Sequence, residues 1–573
     1  MAETKNCKQC QKQFTIEDDD LEFYKKISPT FDGKTFEIPV PTLCPTCREM
    51  NRLAWRNEIS IYKRKSDKSS KEMISVYPAD RKDYTIYRSD EWWADDWDAL
   101  DFGFEFDFTK SFFGQYNQLL IKVPRVGLFN SQTEDSEYSN FAIGCKNCYM
   151  SSVIYYDSEN THYSYVAFTV RDSIDTSFCN NTDHSYACTT LNDCNRCFYS
   201  YRLTNCSDCW FSIDLIGCRD CLFCSNLRHK QFCIQNKQLT KEEFQAELKK
   251  YDFGSYKKVQ EYINKFNDLR GNTFVKYANI IKSEDSTGDD LIECKNAKKF
   301  FNGTRIENCK YSFRGIDYKD SQDFMGGNAE RVYNSQNTGW GSDYLFCSNA
   351  HRSNNLIYCE SCYDSHDLFG CVGLRKKEFC VFNKQYTREE YEKLVAKIIE
   401  HMQKTGEWGE FFPLSISPHA YNETIASNYF QHDKKEILEL GGKWQDNDFA
   451  LEYEGVFYEP ADDIIEYKDE GKQGELLSGI LKCEVSGKPF KIMPQELAFY
   501  LEHGLPIPRK HFNVRFKERF EMRNPRKLYH RQCMCEETGH GHDGKCPNEF
   551  ETTYAPDRPE KVYCEKCYRQ SVI

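Results

Sequence analysis

The sequence has no apolar run long enough to cross a membrane, since we find no stretch of roughly 18 or more apolar residues. Its first residues, MAETKNCKQCQKQF, lack both the basic and the apolar segment of a secretory signal. We therefore expect no membrane partner and a cytoplasmic location. In that reducing compartment, cysteines serve more often as zinc ligands or small buried side chains than as disulfides.

Several catalytic motifs are also absent. The sequence has no G-x-x-x-x-G-K-[ST] phosphate loop, no G-x-S-x-G nucleophile turn and no H-E-x-x-H metalloprotease helix. Catalytic β-helices cleave acidic polysaccharides with clustered Asp, Arg or Lys, and no spacing in this sequence marks out such a set. The absences favour a protein that is not an enzyme and has no small-molecule substrate.

Cysteine and aromatic residues are abundant instead. The 573 residues include 29 Cys, 37 Tyr and 41 Phe, and the mean hydropathy is −0.74. A chain of this length exceeds one ordinary core, so we expect several domains with aromatic-rich interiors. The formal net charge of −13 excludes a protein that coats nucleic acid over its whole surface.

Paired cysteines near the N-terminus predict a zinc ribbon. Cys7 and Cys10 form one C-x-x-C, and Cys44 and Cys47 form another. Four thiolates from two tight turns suit tetrahedral zinc, and an all-cysteine set predicts a closed structural site.

A second zinc site is predicted near the C-terminus. Cys564 and Cys567 form a further C-x-x-C, and we assign Cys533 and Cys546 as their partners, with GHGHDGK lying between these two. Three other residues remain alternative ligands: Cys535, His540 and His542. The two sites predict about two zinc ions per chain.

The two ends of the chain resemble each other. CKQCQKQF at the N-terminus parallels CEVSGKPF from Cys483, where Ser486 replaces the second cysteine. SVYPADRKDYTIYRSDEWW parallels TTYAPDRPEKVYCEKCY, with Arg88 and Glu91 in place of the C-terminal C-x-x-C. We infer a two-ribbon module at each end, and each copy has kept one metal site and lost the other.

Twelve-residue repeats fill the middle of the chain. NDCNRCFYSYRL, TNCSDCWFSIDL and IGCRDCLFCSNL superpose without gaps over 192–227, and the spacing returns at Cys347, Cys359 and Cys371. Columns of identical residues indicate stacked β-coils about 4.8 Å apart. The period fits a full coil of 12 residues or half of a coil of about 24. We interpret the stacked cysteines as buried thiols, with metal binding or redox chemistry as the alternatives.

A 21-residue segment from Cys224 recurs from Cys371 with 12 identities. In each copy, a Thr and a Glu three residues apart predict a capping box. The helices predicted to follow, 241–268 and 388–404, would cover the open end of each block. The predicted fold is mainly β with some α: right-handed β-solenoid blocks of 12-residue repeats, capped by helices and flanked by zinc-ribbon modules.

The predicted domains follow from these features. They are an N-terminal zinc ribbon (1–75), an acidic aromatic linker and helix (76–130), a first β-solenoid block (131–238), a helical segment (239–285), a second β-solenoid block (286–385), a helical and irregular segment (386–480), and a degenerate plus an intact zinc ribbon (481–573).

Basic runs at both ends give a functional hint. The segment from Arg509 to Arg531 contains nine Lys or Arg and only two Glu. We select Arg515, Arg519 and Arg523 as candidate phosphate contacts. A solvated charged face, or pairing with the acidic segment of the same chain, explains such runs equally well. We predict a zinc-binding scaffold or adaptor whose partner is a protein, RNA or an RNA-containing particle. The alternative is a β-helix protein that binds or cleaves carbohydrate.

The ribbon ends, the segment SFFGQYNQLLIKVPR, the repeated FCxxNKQxTxEE and the closing TTYAPDRPEKVYCEKCY carry a family resemblance. Over nearly the whole chain, they resemble uncharacterised cysteine-rich zinc-ribbon proteins of candidate-phyla bacteria. The last segment is similar to the "probable zinc-ribbon" domain class, from which it departs by the insertion between Cys533 and Cys546. The resemblance implies an architecture and no particular activity.

Overall fold

The computed structural model describes residues 2–447 and 453–572. The chain is mainly β with 24% helix, and a β-solenoid of about 21 turns occupies its middle. The predicted solenoid class is therefore confirmed. No helix in these two ranges combines the length and the apolar character that a membrane span requires.

Most coils of the solenoid contain twelve residues, although the coil from Ser152 to Tyr165 spans thirteen positions and the coil from Ile280 to Leu291 spans eleven. Cys197 pairs in parallel register with Cys209, and Cys209 pairs with Cys221. Leu203 pairs in the same way with Leu215. Because these partners lie twelve positions apart, the repeat is one full narrow coil and not half of a larger one.

Every third residue of a coil turns a corner. In one coil, Asp193, Arg196, Tyr199 and Arg202 have φ angles of 53°, 49°, 50° and 56°. Residues other than glycine seldom adopt this left-handed region, and Asn and Asp tolerate it best. Four such corners give each coil four sides of three residues.

The residue after each corner points into the coil. Cys194, Cys197, Ser200 and Leu203 fill one layer of the interior and are buried. Small thiols and hydroxyls suit so narrow a core, where each side chain stacks on its counterpart in the next coil. The thiol and hydroxyl groups donate hydrogen bonds to backbone carbonyls. Ser200 Oγ, for example, donates to the carbonyl oxygen of Phe198 at 2.9 Å.

Two sheets form the solenoid. The strands of the first are Asn130–Ser131, Asn140–Ile143, Ser152–Tyr155, Glu159–His162, Tyr165–Asp183, Tyr186–Phe198, Tyr201–Thr204, Ser207–Trp210, Ile213–Ile216, Arg219–Leu222, Gln231–Ile234 and Lys237–Gln238. The strands of the second are Ile280–Ile281, Gly288–Ile292, Lys295–Leu345, Asn354–Ile357, His366–Phe369, Glu378–Val381 and Lys384–Gln385. The unbroken strand Lys295–Leu345 winds through several coils, because corners recur along it.

Short strands outside the solenoid form pairs. They are Glu3–Asn6 with Gln13–Ile16, Thr30–Phe31 with Lys34–Thr35, Tyr62–Lys65 with Glu72–Ser75, Ile86–Tyr87 with Arg125–Val126, Phe274–Lys276 with Lys561–Tyr563, Leu481–Lys482 with Pro489–Phe490, and Tyr529–Gln532 with Glu549–Thr552.

The α-helices of the described residues flank these sheets. They are α1 Asp18–Lys26, α2 Pro45–Leu53, α3 Ser89–Trp92, α4 Phe112–Lys122, α5 Lys241–Leu248, α6 Tyr256–Asn272, α7 Arg388–Thr405, α8 Ala426–Tyr429, α9 Lys434–Glu439, α10 Glu470–Ser478, α11 Pro494–His503, α12 Phe512–Glu521 and α13 Glu565–Ser571. Single 3-10 turns lie at Ala99–Phe102, Leu414–Ile416, Tyr421–Glu423 and Ile464–Lys468.

Hairpins and helices close the last coil of each block. Gln231–Ile234 pairs antiparallel with Lys237–Gln238, and Glu378–Val381 pairs with Lys384–Gln385. The helices α5 and α7 then pack on the last parallel strand of their own block. These elements cover strand edges that would otherwise be open to pairing with another chain.

The capping helices agree only in part with those predicted from the sequence. The capping boxes of α5 and α7 are confirmed, and α7 matches its predicted span. The single helix predicted over 241–268 is wrong, because the structure has α5 and α6 there. Asp252 Oδ1 accepts hydrogen bonds from the backbone of Gly254 and Ser255, and Ser255 caps a new helix.

The ribbon modules cross over to the opposite solenoid blocks. The N-terminal helix α2 packs on Lys295–Leu345 of the second block, whereas α12 packs on Tyr165–Asp183 of the first. Glu58, which is fully buried, joins the blocks by accepting hydrogen bonds from Tyr165 of the first and Arg314 of the second.

Candidate metal centres

Two facing turns build the N-terminal centre. Cys7 and Cys10 lie in the turn after the strand Glu3–Asn6, while Cys44 caps α2 and Cys47 lies in its first turn. The four sulfurs lie within 4.8 Å of one another, and Cys10 Sγ is 3.8 Å from Cys44 Sγ. Zinc with four Zn–S bonds of about 2.3 Å needs S···S separations of about 3.8 Å. This set of four can therefore hold a metal ion.

The electrostatics of this centre favour a thiolate at Cys44, whereas hydrogen bonding with Cys44 raises the pKa of Cys47 and burial raises that of Cys10. The backbone N–H of Cys44 donates to Cys7 Sγ at 3.3 Å. Hydrogen bonding with Cys47 lowers the pKa of the Cys44 thiol to about 5, and the N-terminus of α2 favours negative charge at the same place. The thiolate is the form that binds metal. Because protein fills all four positions, an ion held here is closed to substrate.

The C-terminal centre repeats this arrangement. The sulfurs of Cys533, Cys546, Cys564 and Cys567 lie within 4.8 Å of one another. Cys564 caps α13, and its backbone N–H donates to Cys533 Sγ at 3.1 Å. Burial raises the pKa of Cys564, but hydrogen bonds from Asn548 and the backbone of Cys567 outweigh it and lower the pKa to about 7. The structure thus gathers the four residues assigned from spacing.

The three alternative ligands lie at the same end of the chain. Cys535, His540 and His542 form a separate group with Cys567, again with ligand atoms within 4.8 Å of one another. These three side chains surround the sulfur of Cys567, which belongs to both groups. The loop that carries them has the G-x-G-x-x-G spacing of nucleotide-binding turns, yet a strand, Glu549–Thr552, and no helix follows it.

Each module also contains a set of positions, here called its remnant, that the comparison of the two ends aligns with metal ligands of the other module but that lacks a full set of cysteines. In the C-terminal module, Cys483 is buried, and its sulfur accepts a hydrogen bond from the backbone of Ser486 at 3.4 Å. In the N-terminal module, Ser66 Oγ donates to Glu91, which also accepts a hydrogen bond from the backbone of Arg88 at 3.2 Å. The residues of each remnant therefore make hydrogen bonds within the protein.

The arginines selected as phosphate contacts are engaged inside the protein. Arg515 and Arg519 are 8% and 4% exposed, and both bind Asp175, at 3.2 and 2.7 Å. Arg523 binds Asp290 at 3.0 Å. Internal carboxylates thus match these charges and attach α12 to the solenoid. The basic run resembled an exposed phosphate-binding face only because its acidic partners are distant in sequence.

The solenoid cysteines are separate from these centres. In residues 2–447 and 453–572, none of them belongs to a group of three or more ligand atoms within 4.8 Å. All 29 cysteines of the chain are free thiols in the structure. A further group that the sequence did not indicate joins His184 with Glu502 and His503. Glu502 is exposed, and we assign no metal to that surface group.

No protein-family model matches this sequence, and no curated protein matches it. The fold and the two cysteine centres therefore carry the functional argument alone.

Proposed function

We propose that this protein is a cytoplasmic, zinc-binding scaffold or adaptor without enzymatic activity. The observation that carries the proposal is the closed geometry of both four-cysteine sets. Each offers four thiolates and no open position, which suits a structural zinc ion and leaves no place for a substrate. Zinc would supply folding energy to ribbon modules that have little core of their own.

The solenoid provides a rigid frame for these modules. Arg48 and Arg52 of α2 bind the buried carboxylate of Asp323, at 2.7 and 3.1 Å. On the outer face, Arg196 binds Asp208 one coil further on at 2.6 Å. Buried ion pairs therefore fix α2 to the solenoid, and the charged side chain of Arg196 at a corner is paired with the next coil.

The exposed surface does not favour the carbohydrate alternative. Among the described residues, the large aromatics with more than about a third of their surface exposed are Trp93, Phe108, Tyr156 and Trp340. Only Tyr156 and Trp340 belong to the solenoid, one in each block. A glycan-binding solenoid would be expected to present a row of aromatic rings along its coils, and these residues form no such row.

We propose a protein as the partner of this scaffold. The arginines that would have contacted RNA are bound to Asp175 and Asp290, and the chain as a whole carries a net charge of −13. Both facts weaken attraction to phosphate. The pull-down described next also tests RNA as the partner.

A pull-down with the tagged full-length chain from native lysate, with and without nuclease, tests this function. We expect one protein partner to be retained after nuclease treatment. Cys7→Ser should lose that partner, because it dismantles the N-terminal ribbon, whereas Cys483→Ser is the matched control and should retain it. Loss of the partner with nuclease would establish RNA instead. Binding or cleavage of a glycan by the purified chain would overturn the scaffold proposal.

A further inference from the structure

A second set of metal ligands surrounds one sulfur of the C-terminal centre. Cys535 Sγ lies 3.2 Å from His540 Nδ1, and Cys567 Sγ lies 3.4 Å from His542 Nε2. All four ligand atoms lie within 4.8 Å of one another. For tetrahedral zinc with bonds of about 2.3 Å to sulfur and 2.0–2.1 Å to nitrogen, the S···N separation is about 3.6 Å. The group has the size of a zinc site with two sulfur and two nitrogen ligands.

The loop backbone places the two histidines over the sulfurs. Gly539, Gly541 and Gly544 have φ angles of 88°, 77° and 66°, which glycine adopts without steric cost. Gly539 and Gly541 flank His540, and the loop brings His542 Nε2 to 3.4 Å from the sulfur of Cys567 in α13. The insertion that interrupts the ribbon pattern is thus the segment that supplies two nitrogen ligands.

The hydrogen bonds of His542 leave the correct nitrogen free for metal. His542 Nδ1 lies 2.8 Å from the carbonyl oxygen of Gly544. A carbonyl only accepts, so Nδ1 carries the hydrogen, and Nε2 faces Cys567 Sγ. Histidines that bind metal commonly donate their other N–H to a backbone carbonyl in this way, which fixes the tautomer and the ring orientation.

Cys535 has no role in the four-cysteine set. Its side chain is fully buried although Glu536 and Glu537, which follow it, are exposed. Its sulfur lies 3.2 Å from His540 Nδ1 and within 4.8 Å of the Cys567 sulfur. A buried thiol in so polar a loop is explained if it is a ligand.

We propose that the C-terminal centre is binuclear, with the Cys567 thiolate bridging two zinc ions. Cys533, Cys546 and Cys564 complete the first ion, and Cys535, His540 and His542 complete the second. Two zinc ions with five thiolates leave one net negative charge, whereas one ion with four thiolates leaves two. The second ion therefore reduces the charge that the ribbon must bury.

Metal analysis of the full-length chain, purified under reducing and zinc-replete conditions, tests the proposal. We expect three zinc ions in the wild type and two in the His540→Ala, His542→Ala double variant. His530→Ala, an exposed histidine in the same ribbon, is the matched control and should retain three. Two ions in the wild type, unchanged in the double variant, would refute the bridged centre and leave the proposed function intact. Fewer than two would overturn both proposals.

Cadmium substitution gives an independent measurement that does not depend on a variant. In the 113Cd NMR spectrum, two cadmium ions that share the Cys567 sulfur should show mutual coupling through it, and the third cadmium should show none. Three uncoupled resonances would contradict the bridge, and two uncoupled resonances would contradict the second ion.

Discussion

Arg519 and Asp175 form a buried ion pair of 2.7 Å across 344 positions of sequence. The same relationship occurs at the other end of the chain, where Arg52 binds Asp323 at 3.1 Å. Arg52 lies on α2 and Arg519 on α12, at matching positions of the two ribbon modules. Each module is therefore attached to its solenoid block by equivalent contacts, as expected if ends and blocks were duplicated together.

Asp175→Ala should detach α12 from the first solenoid block. The substitution leaves the buried guanidinium groups of Arg515 and Arg519 without this carboxylate, and breaking a buried pair in this way costs about 3–5 kcal/mol. We expect amide hydrogen exchange in α12 to accelerate at least about a hundredfold, as measured by mass spectrometry.

Asp208→Ala is the control for this prediction. Asp208 pairs with Arg196 on the exposed face of the same block, and such pairs contribute only about 0–1 kcal/mol. Equal exchange of α12 in both variants would contradict the role assigned to Asp175.

The sequence revealed the solenoid through its columns but not the path of the backbone. Cysteines twelve positions apart predicted stacking correctly. The size of the coil stayed open, because a period of 12 describes a full narrow coil and half of a wide one equally. The corners could not be located from glycines in the sequence, because residues such as Arg196 and Tyr199 occupy them in a left-handed conformation that they seldom adopt.

Charge alone could not locate the candidate sites. Arg515 and Arg519 were predicted to lie on a basic surface because their partner, Asp175, is remote in sequence and is brought near only by the fold. His540 and His542, in contrast, remained visible as alternative ligands by their proximity to cysteine. What the spacing could not provide was the geometry that makes them a second set around Cys567.

Matched cysteines in the two modules separate a ligand from a packing residue. Cys7→Ser should remove close to one zinc ion per chain, because it takes one of four thiolates from the N-terminal centre. Cys483→Ser, at the corresponding position of the other module, should leave the zinc content unchanged. Metal analysis after dialysis against a weak chelator provides the measurement. Equal losses would show that Cys483 also holds metal.

Mild acid should destabilise the folded state, because His351 takes up a proton only in the unfolded chain. Burial lowers the pKa of His351 to about 3, and the charges of Arg352 and Arg56 act in the same direction. The unfolded chain binds a proton below about pH 6.5 that the folded chain excludes. This contribution to stability is therefore complete above about pH 6.5 and is lost as the pH falls toward 3.

The size of this effect can be isolated with a variant. Between pH 7.5 and pH 5, His351 should account for a loss of about 2 kcal/mol in the free energy of unfolding, measured by urea titration. His351→Gln should lack that part of the pH dependence, whereas His366→Gln, which alters an exposed histidine, should retain it. An unchanged pH dependence in His351→Gln would refute the assignment.

The solenoid thiols should be reduced and protected. Burial raises the pKa of Cys179 to about 11 and that of Cys188 well above its usual value, which suppresses the reactive thiolate. Hydrogen bonding with Cys194 lowers the pKa of Cys197 to about 7, so that thiol is protected by its burial alone. We expect most of the 19 cysteines between Cys145 and Cys380 to react with iodoacetamide only after unfolding, as measured by mass spectrometry. Systematic bridges, such as Cys194 to Cys206, under non-reducing conditions would contradict this prediction and the cytoplasmic location.

The remnant of the N-terminal module should bind a metal ion once it carries four cysteines. Ser66 and Ser69 hydrogen-bond to Glu91, and Arg88 caps α3 as Cys564 caps α13. Replacing all four residues of this remnant by cysteine places thiols on two facing turns, the arrangement that holds metal at the intact centres. We expect the quadruple variant to bind one zinc ion more than the wild type. A variant that keeps Ser69 has only three thiols and should bind that ion more weakly in competition with a chelator. If the folded quadruple variant gains no zinc, the remnant does not share the geometry of the C-terminal ribbon, and the duplication inferred from the two ends does not extend to this turn.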